Sequence, residues 1–334
     1  ISGGLDSRAT LAGLLEHTEA KNIHTYTFGT PNTLDYDVGN YIAKKLGTNH
    51  TSFDLTKYAY KQEELENISK RIHHQAVLFH HWPVWELDAL FKGCIQWSGF
   101  MGDPLAGSHL SSSQSHNLEE AKTNFIKKNK YVKSIKLSNN DDFSSLINND
   151  LIDKDKLTLD EQLDFQNRQT KYISSIVLMK GYDLKTPFLY QPYIDFMLSV
   201  DNKHRINQNL YKKILLNAFP KEFSYKTKTN FGLPLGASNN AVFINRVKNK
   251  ILRMIGLSKG IGINYLDFNE KIRTKKDLRD VISMNILDLK RRDIIDWIDI
   301  EKILNDHLSN KGNFADALIV LASLEIHLKA GKVL

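Results

Sequence analysis

The sequence predicts an α/β fold: a parallel twisted sheet flanked by helices on both faces, followed by a mainly helical C-terminal lobe. Three observations predict it. Short strand-like runs alternate with amphipathic helical runs through the first 110 residues. Beyond His109 the periodicity is mostly helical. The segment Ser2-Gly3-Gly4 opens directly into a helical pattern, as a loop that binds an anion at a helix start requires. The expected division is 1–110 for a nucleotide-binding core and 111–334 for a helical remainder.

Each element has its own signal. Residues 7–16 read as a helix, with Ala9, Leu11, Ala12, Leu14 and Leu15 on its apolar side. Residues 22–27 alternate at period two and read as a strand running into Phe28-Gly29. A second helix covers 35–46 and is stopped by Gly47. A short strand is expected at 53–55, helices at 63–71 and 84–91, and a short buried strand at 94–97 that includes Cys94 as a core thiol. The polar run Ser111 to Ser115 reads as a mobile loop beside the site. Helices at 188–198 and 314–328 follow, separated by polar connectors such as 139–142, and no internal repeat is present.

Composition narrows the function classes. The 334 residues are 41% hydrophobic, ample for a sizeable core. Lys and Arg number 45 against 38 Asp and Glu, a net charge of +7 that suits an anionic ligand such as a nucleotide. There is no compact Arg/Lys cluster interleaved with aromatics, which argues against nucleic acid as a partner. A single cysteine excludes an intrachain disulfide framework and a Cys-rich zinc site. No run approaches the ~20 apolar residues of a membrane span and no signal peptide opens the chain, so the expectation is a cytoplasmic protein with no membrane partner. The anion loop lacks the strand that should precede it, because only Ile1 stands before Ser2; a fragment of a longer protein is therefore expected.

The chemistry concentrates in two Ser-Gly segments. Ser2, Gly3 and Gly4 offer backbone N–H groups that can approach an anion closely, and the helix after Ser7 points its positive end the same way. Asp6 in that loop would repel phosphate unless a cation stood between, which implies Mg²⁺ with Asp6 as a ligand. A Walker A loop would use a lysine instead. The second segment, residues 98–108, contains Ser98-Gly99 and then Asp103, a second anchor for magnesium.

These segments resemble a known family. Ser2-Gly3-Gly4-Leu5-Asp6-Ser7 resembles the PP-loop of N-type ATP pyrophosphatases, and 98–108 is similar to the Ser-Gly-acidic-Gly-x-Asp-Glu-Leu-Phe-Gly-Gly run of the asparagine synthetase family. Further marks keep the family's order: Phe28-Gly29 with Asp35, Leu46-Gly47-Thr48-Asn49-His50, residues 182–189, Lys212 to Leu215, the 226–234 loop with Lys228 and Gly232-Leu233-Pro234, and Leu324-Glu325 near the end. The resemblance implies an adenine nucleotide α-hydrolase-like sheet and a two-step reaction. A carboxylate, aspartate or an analogue, attacks the α-phosphate of Mg-ATP, and ammonia or an amine then displaces AMP. It implies that Asp6 and Asp103 hold Mg²⁺, that Ser2, Gly3, Gly4 and Ser7 cradle the pyrophosphate, that Ser98 and Gly99 also belong to the cofactor site, that Lys228 neutralises charge on the phosphates, and that Thr27 and Phe28 present backbone to adenine. It also implies a glutaminase domain elsewhere in a longer chain, supplying the ammonia from glutamine.

The departures fall on one side of the site. Phe100, Met101 and Pro104 replace an acidic residue, Gly and Glu of the second loop; Ala106 and Ser108 replace Phe and Gly. Asp183 and Lys185 stand for Glu and Arg, Tyr190 for Asp, and Leu216 for Arg. The ATP half is thus expected to be kept and the acceptor half altered, as in an amidotransferase acting on a different carboxylate or an ATP-binding protein without acceptor chemistry. A tRNA-modifying PP-loop enzyme is the alternative within the superfamily, disfavoured by the order of the later motifs and a lone Cys94. The pairs His73-His74 and His80-His81 read as polar lining of an acceptor pocket beside Trp82 and Trp85 rather than as a metal site.

Overall fold

The computed structural model describes residues 1–140, 142–148, 150, 156–254 and 265–332, so Asp141 of the expected 139–142 connector lies outside the described residues. The chain divides into two compact units, each assembled from three separate stretches. Unit 1 comprises Ile1–Tyr58, Ile95–Ser112 and Leu184–Leu266; unit 2 comprises Ala59–Cys94, Ser113–Asp183 and Asp267–Leu334. The expected division at residue 110 is one along the sequence, whereas these units interleave.

Unit 1 begins with the Gly-rich loop and helix α1 (Asp6–Leu15), whose Arg8, Ala9, Thr10, Leu11 and Ala12 are all buried. Strand β1 (His24–Gly29) starts two residues later than the alternation suggests, because Ala20–Asn22 closes into a 3-10 turn first. Helix α2 (Leu34–Leu46) ends where Gly47 adopts a left-handed conformation and donates back to Ala43 at 2.9 Å. Strand β2 (Asn49–Asp54) is longer than the expected 53–55 and pairs in parallel with β1, with Thr27 opposite Ser52 and Phe28 opposite Phe53. Its polar start was hidden from a hydrophobic pattern. Thr25 hydroxyl instead meets His50 Nδ1 at 2.8 Å and Thr48 hydroxyl at 2.7 Å, so polar pairs hold this end of the ladder.

The α/β class with parallel pairing is present, but the described residues form two small two-stranded sheets in place of one broad sheet. The second joins β3 (Ile95–Trp97) to β4 (Asp183–Lys185). Two expectations are corrected here. Only Gln96 of β3 is buried while Ile95 and Trp97 are exposed, since alternation sends those two to the same uncovered face. Cys94, at the end of an apolar run, is exposed rather than a core thiol.

The core of unit 1 lies directly beneath the two loops. Leu5, Ala9, Ala106, Phe188, Met197, Tyr211, Leu215, Phe223 and Leu235 form one buried cluster. Leu216 packs on its edge, and Tyr190 is exposed. Unit 2 contains α3 (Gln62–Arg71) and α4 (Val84–Phe91), both close to expectation. Its helix Ala315–Ala330 packs against α3 and the helix Lys276–Arg291 through buried Ile68, Ile282, Ile286, Leu318 and Ala322. The polar run before Leu118 is pinned at its end, with Ser115 N–H and hydroxyl donating to Asp160 at 2.9 and 2.8 Å. No described helix is long and apolar enough to cross a membrane.

Candidate functional site

The two Ser-Gly segments meet at Asp6. Its Oδ2 accepts from the Asp103 backbone N–H at 2.7 Å, and its Oδ1 accepts from the Tyr211 hydroxyl at 3.0 Å. This contact needs glycines on the other side. A Cβ on Gly99 would fall 2.8 Å from Asp6 Cβ and 2.9 Å from Ser7 N, and one on Gly102 would fall 2.5 Å from Asp6 Cγ. The short helix α5 (Gly102–Leu105) therefore starts against the Asp6 carboxylate, turned there by Met101 at φ 69°. Ser98 anchors the segment by donating its N–H to Lys185 O at 2.9 Å while its hydroxyl accepts from Phe100 N–H at 3.2 Å.

Burial, and after it the neighbouring Asp103 charge, pushes the Asp6 carboxyl well above its ordinary 3.8; the Tyr211 hydroxyl and the Asp103 N–H pull the other way. Tyr211 is buried in the core, and burial with the Asp6 charge pushes its phenol well above 10, so it stays protonated and donates. Asp103 is exposed, with Oδ1 accepting from Gln208 Nε2 at 2.6 Å. Two carboxylates are thus held side by side, one half-buried and one exposed.

The first loop is shaped by its own side chains. Ser2 N–H donates to Ser7 Oγ at 3.1 Å, the two hydroxyls lie 3.2 Å apart, and Gly4 N–H donates to Ser2 Oγ at 3.3 Å. Gly3 O accepts from Lys228 N–H at 2.9 Å, tying the third segment to the first. That segment is closed on itself. Lys226 bridges Pro234, Thr227 N–H donates to Leu233 O at 2.8 Å, and Asn230 Nδ2 donates to Pro234 O at 2.7 Å. Lys228 presents a half-exposed ammonium paired with Asp35 in the first turn of α2. Arg8, fully buried, fastens α1 to the same stretch by donating to Lys226 O at 2.8 Å.

A pocket of about 330 Å³ opens among Gly4, Asp35, Asp103, Gln208, Lys228 and Phe231. A larger hollow of about 470 Å³ at the far end of α1 is lined by Glu16, Glu19, Lys221 and Glu222 and contains none of the predicted site residues. Of those residues, Ser2, Gly3, Gly4, Asp6, Ser7, Ser98, Gly99, Asp103 and Lys228 are brought together in the two loops and the 226–234 segment. Thr27 lies buried on β1, opposite Ser52, with its hydroxyl donating to Ile1 O at 2.7 Å. Phe28 stands on the same strand with its ring 6.4 Å from Tyr265. Asp35, Gln208 and Tyr211 were not foreseen as site groups; an acidic first turn after Phe28-Gly29 pointed to Asp35, and no signal pointed to the other two.

The donor set suits a magnesium–phosphate complex. Mg²⁺ takes one or two carboxylates and completes its shell with water and phosphate oxygens. The Asp6–Asp103 pair offers that number, and a cation between them would relieve the repulsion that adds to burial in raising Asp6. Among the described residues no group of three or more His, Cys, Asp and Glu could hold a metal by itself. The histidine pairs lie in unit 2, where three of the four histidines have polar partners within reach. His74 Nδ1 is 2.7 Å from Ser69 Oγ, His80 Nε2 is 2.7 Å from the Tyr131 hydroxyl, and His81 Nδ1 is 2.5 Å from Trp82 O.

No curated protein matches the sequence. Residues 1–78, which carry the first loop, α1, β1, α2, β2 and α3, match the family model for asparagine synthase.

Proposed function

We propose that the chain uses Mg-ATP to activate a carboxylate as an acyl-adenylate, releasing pyrophosphate, and that ammonia or an amine then converts it to an amide with loss of AMP. The observation that carries this reading is the Asp6–Asp103 pair, built by two Ser-Gly segments almost a hundred residues apart, with Lys228 lining the same pocket as Asp103. In the first step a carboxylate oxygen bonds to the α-phosphorus, and the α–β bridging oxygen leaves with its electron pair on pyrophosphate. Asp6 and Asp103 would hold Mg²⁺, which would supply charge neutralisation for the leaving pyrophosphate. The Gly3 amide and the Ser7 hydroxyl donate to the leaving group, the Ser2 and Gly4 amides join them once they leave the Ser7 and Ser2 hydroxyls, and Lys228 leaves Asp35 to meet the charge that develops there. Tyr211 and the Asp103 N–H hold the Asp6 carboxylate in place. In the second step the nitrogen bonds to the acyl carbon and the C–O bond to AMP breaks.

Aspartate is the reference acceptor for the family, and a different carboxylate is favoured by Phe100, Met101 and Pro104 in the second loop. The same residues motivate a second reading, a protein that binds ATP without turning it over. The measurement is AMP and pyrophosphate formation from Mg-ATP across a panel of carboxylic acids including aspartate, for wild type and Asp103→Ala. Equal amounts of AMP and pyrophosphate with one acid, lost in the variant, support the ligase. Calorimetric ATP binding with no turnover by any acid supports the second reading.

A further inference from the structure

The helix Asn239–Met254 does not share the burial of the rest of unit 1. Phe243, Ile244, Val247, Ile251 and Met254 are between 40% and 77% exposed. At 3.6 residues per turn these five side chains fall within an arc of about 100°. The opposite edge is the attached one: Asn245 and Asn249, one turn apart, both donate their Nδ2 to Phe231 O, at 2.7 and 3.4 Å. Arg246 also stacks over the Phe231 ring at 5.6 Å. The helix is fastened by its polar edge and turns its apolar edge outward.

Charge decides what would cover that edge. The helix sequence contains Arg246, Lys248, Lys250 and Arg253 and no acidic residue. Arg246 and Lys250 fall on one side of the apolar arc and Lys248 on the other, so the arc is bordered by cations on both flanks. A second copy of the chain is disfavoured, because a two-fold contact would set these basic flanks against each other. An anionic surface that accepts apolar side chains in its middle and cations at its rim fits, and it needs no groove of matching shape.

We propose that the helix Asn239–Met254 is an interfacial anchor that lies in the headgroup region of an anionic lipid surface. The expectation of no membrane partner rested on the lack of a spanning stretch, and a helix lying in the interface needs none. Through Asn245 and Asn249 the anchor is joined to Phe231, which lines the pocket beside Lys228, so docking seats that loop at the membrane. The importance of this link for catalysis rests on the ligase reading above, while the docking itself does not.

The test is co-sedimentation of the chain with vesicles of phosphatidylcholine alone and of phosphatidylcholine with phosphatidylserine, with no nucleotide present. The expected result is binding to the anionic vesicles only, weakened by salt. The double variant Phe243→Ser/Ile251→Ser removes exposed side chains only, so it keeps the thermal midpoint and loses the binding. Lys248→Glu/Lys250→Glu keeps the apolar arc and binds anionic vesicles about tenfold or more weakly. Binding to neither vesicle, equal binding to both, or full binding by the Phe243/Ile251 variant would each overturn the proposal. So would self-association of the chain that the same double substitution abolishes, which would assign the face to a second copy.

Discussion

Replacing Asp6 by Asn separates what the site costs from what it does. Asn keeps the shape and both hydrogen bonds: its amide oxygen can accept from Asp103 N–H, and its Nδ2 can donate to the Tyr211 oxygen. Only the buried charge and its repulsion with Asp103 disappear. In the folded chain the Asp6 carboxyl lies well above 3.8, so the folded state holds this proton more tightly than the unfolded state. Wild-type stability therefore falls as pH rises from 3.8 to the folded value of Asp6, by up to about 1.4 kcal/mol per pH unit, and is level beyond it. Asp6→Asn lacks this loss. Urea unfolding of both proteins across a pH series, without Mg²⁺ or nucleotide, should give a difference that grows with pH in favour of the variant and then levels off. The stabilisation of wild type by Mg-ATP should vanish in the variant. A difference independent of pH, or a variant less stable at neutral pH, would refute the reasoning that a destabilising carboxylate is kept for ligand binding.

Gly102→Ala should destabilise the chain by about 1–3 kcal/mol in urea unfolding, since its Cβ would lie 2.5 Å from Asp6 Cγ; an unchanged midpoint would contradict the described packing. Lys228→Ala should leave stability within about 1 kcal/mol, because the Lys228 ammonium is half-exposed, yet slow AMP formation about 100-fold or more in a single-turnover assay. Arg8→Leu should cost about 2–4 kcal/mol in the same unfolding assay, because the carbonyls of Glu222, Tyr225 and Lys226 lose their buried donor.

What was legible in the sequence was local chemistry. Two glycines before an Asp and a helical pattern announced the first loop, and a Ser-Gly turn with Asp103 announced the second. Helix ends with a clear stop, such as Gly47, fell where expected. What was not legible depends on partners far away in the chain. Tyr211 reads as an ordinary helix residue, and its contact with Asp6 spans 205 positions. Arg8 reads as a charge on a helix surface, yet its guanidinium is buried because backbone carbonyls 214 to 218 residues later receive it. An apolar run was equally deceptive at 94–97, where pattern says buried and Cys94, Ile95 and Trp97 are exposed. Hydrophobic periodicity reports which face is apolar and is silent on what, if anything, packs against it.

The central claim is that a carboxylate oxygen attacks the α-phosphorus of ATP at the Asp6–Asp103 pair. The most direct measurement follows the oxygen. Turnover with Mg-ATP and a carboxylic acid labelled with ¹⁸O in its carboxyl group should transfer one labelled oxygen into the phosphate of AMP, and Asp103→Ala should abolish the transfer. Formation of ADP and phosphate, or of AMP without label, would contradict the account.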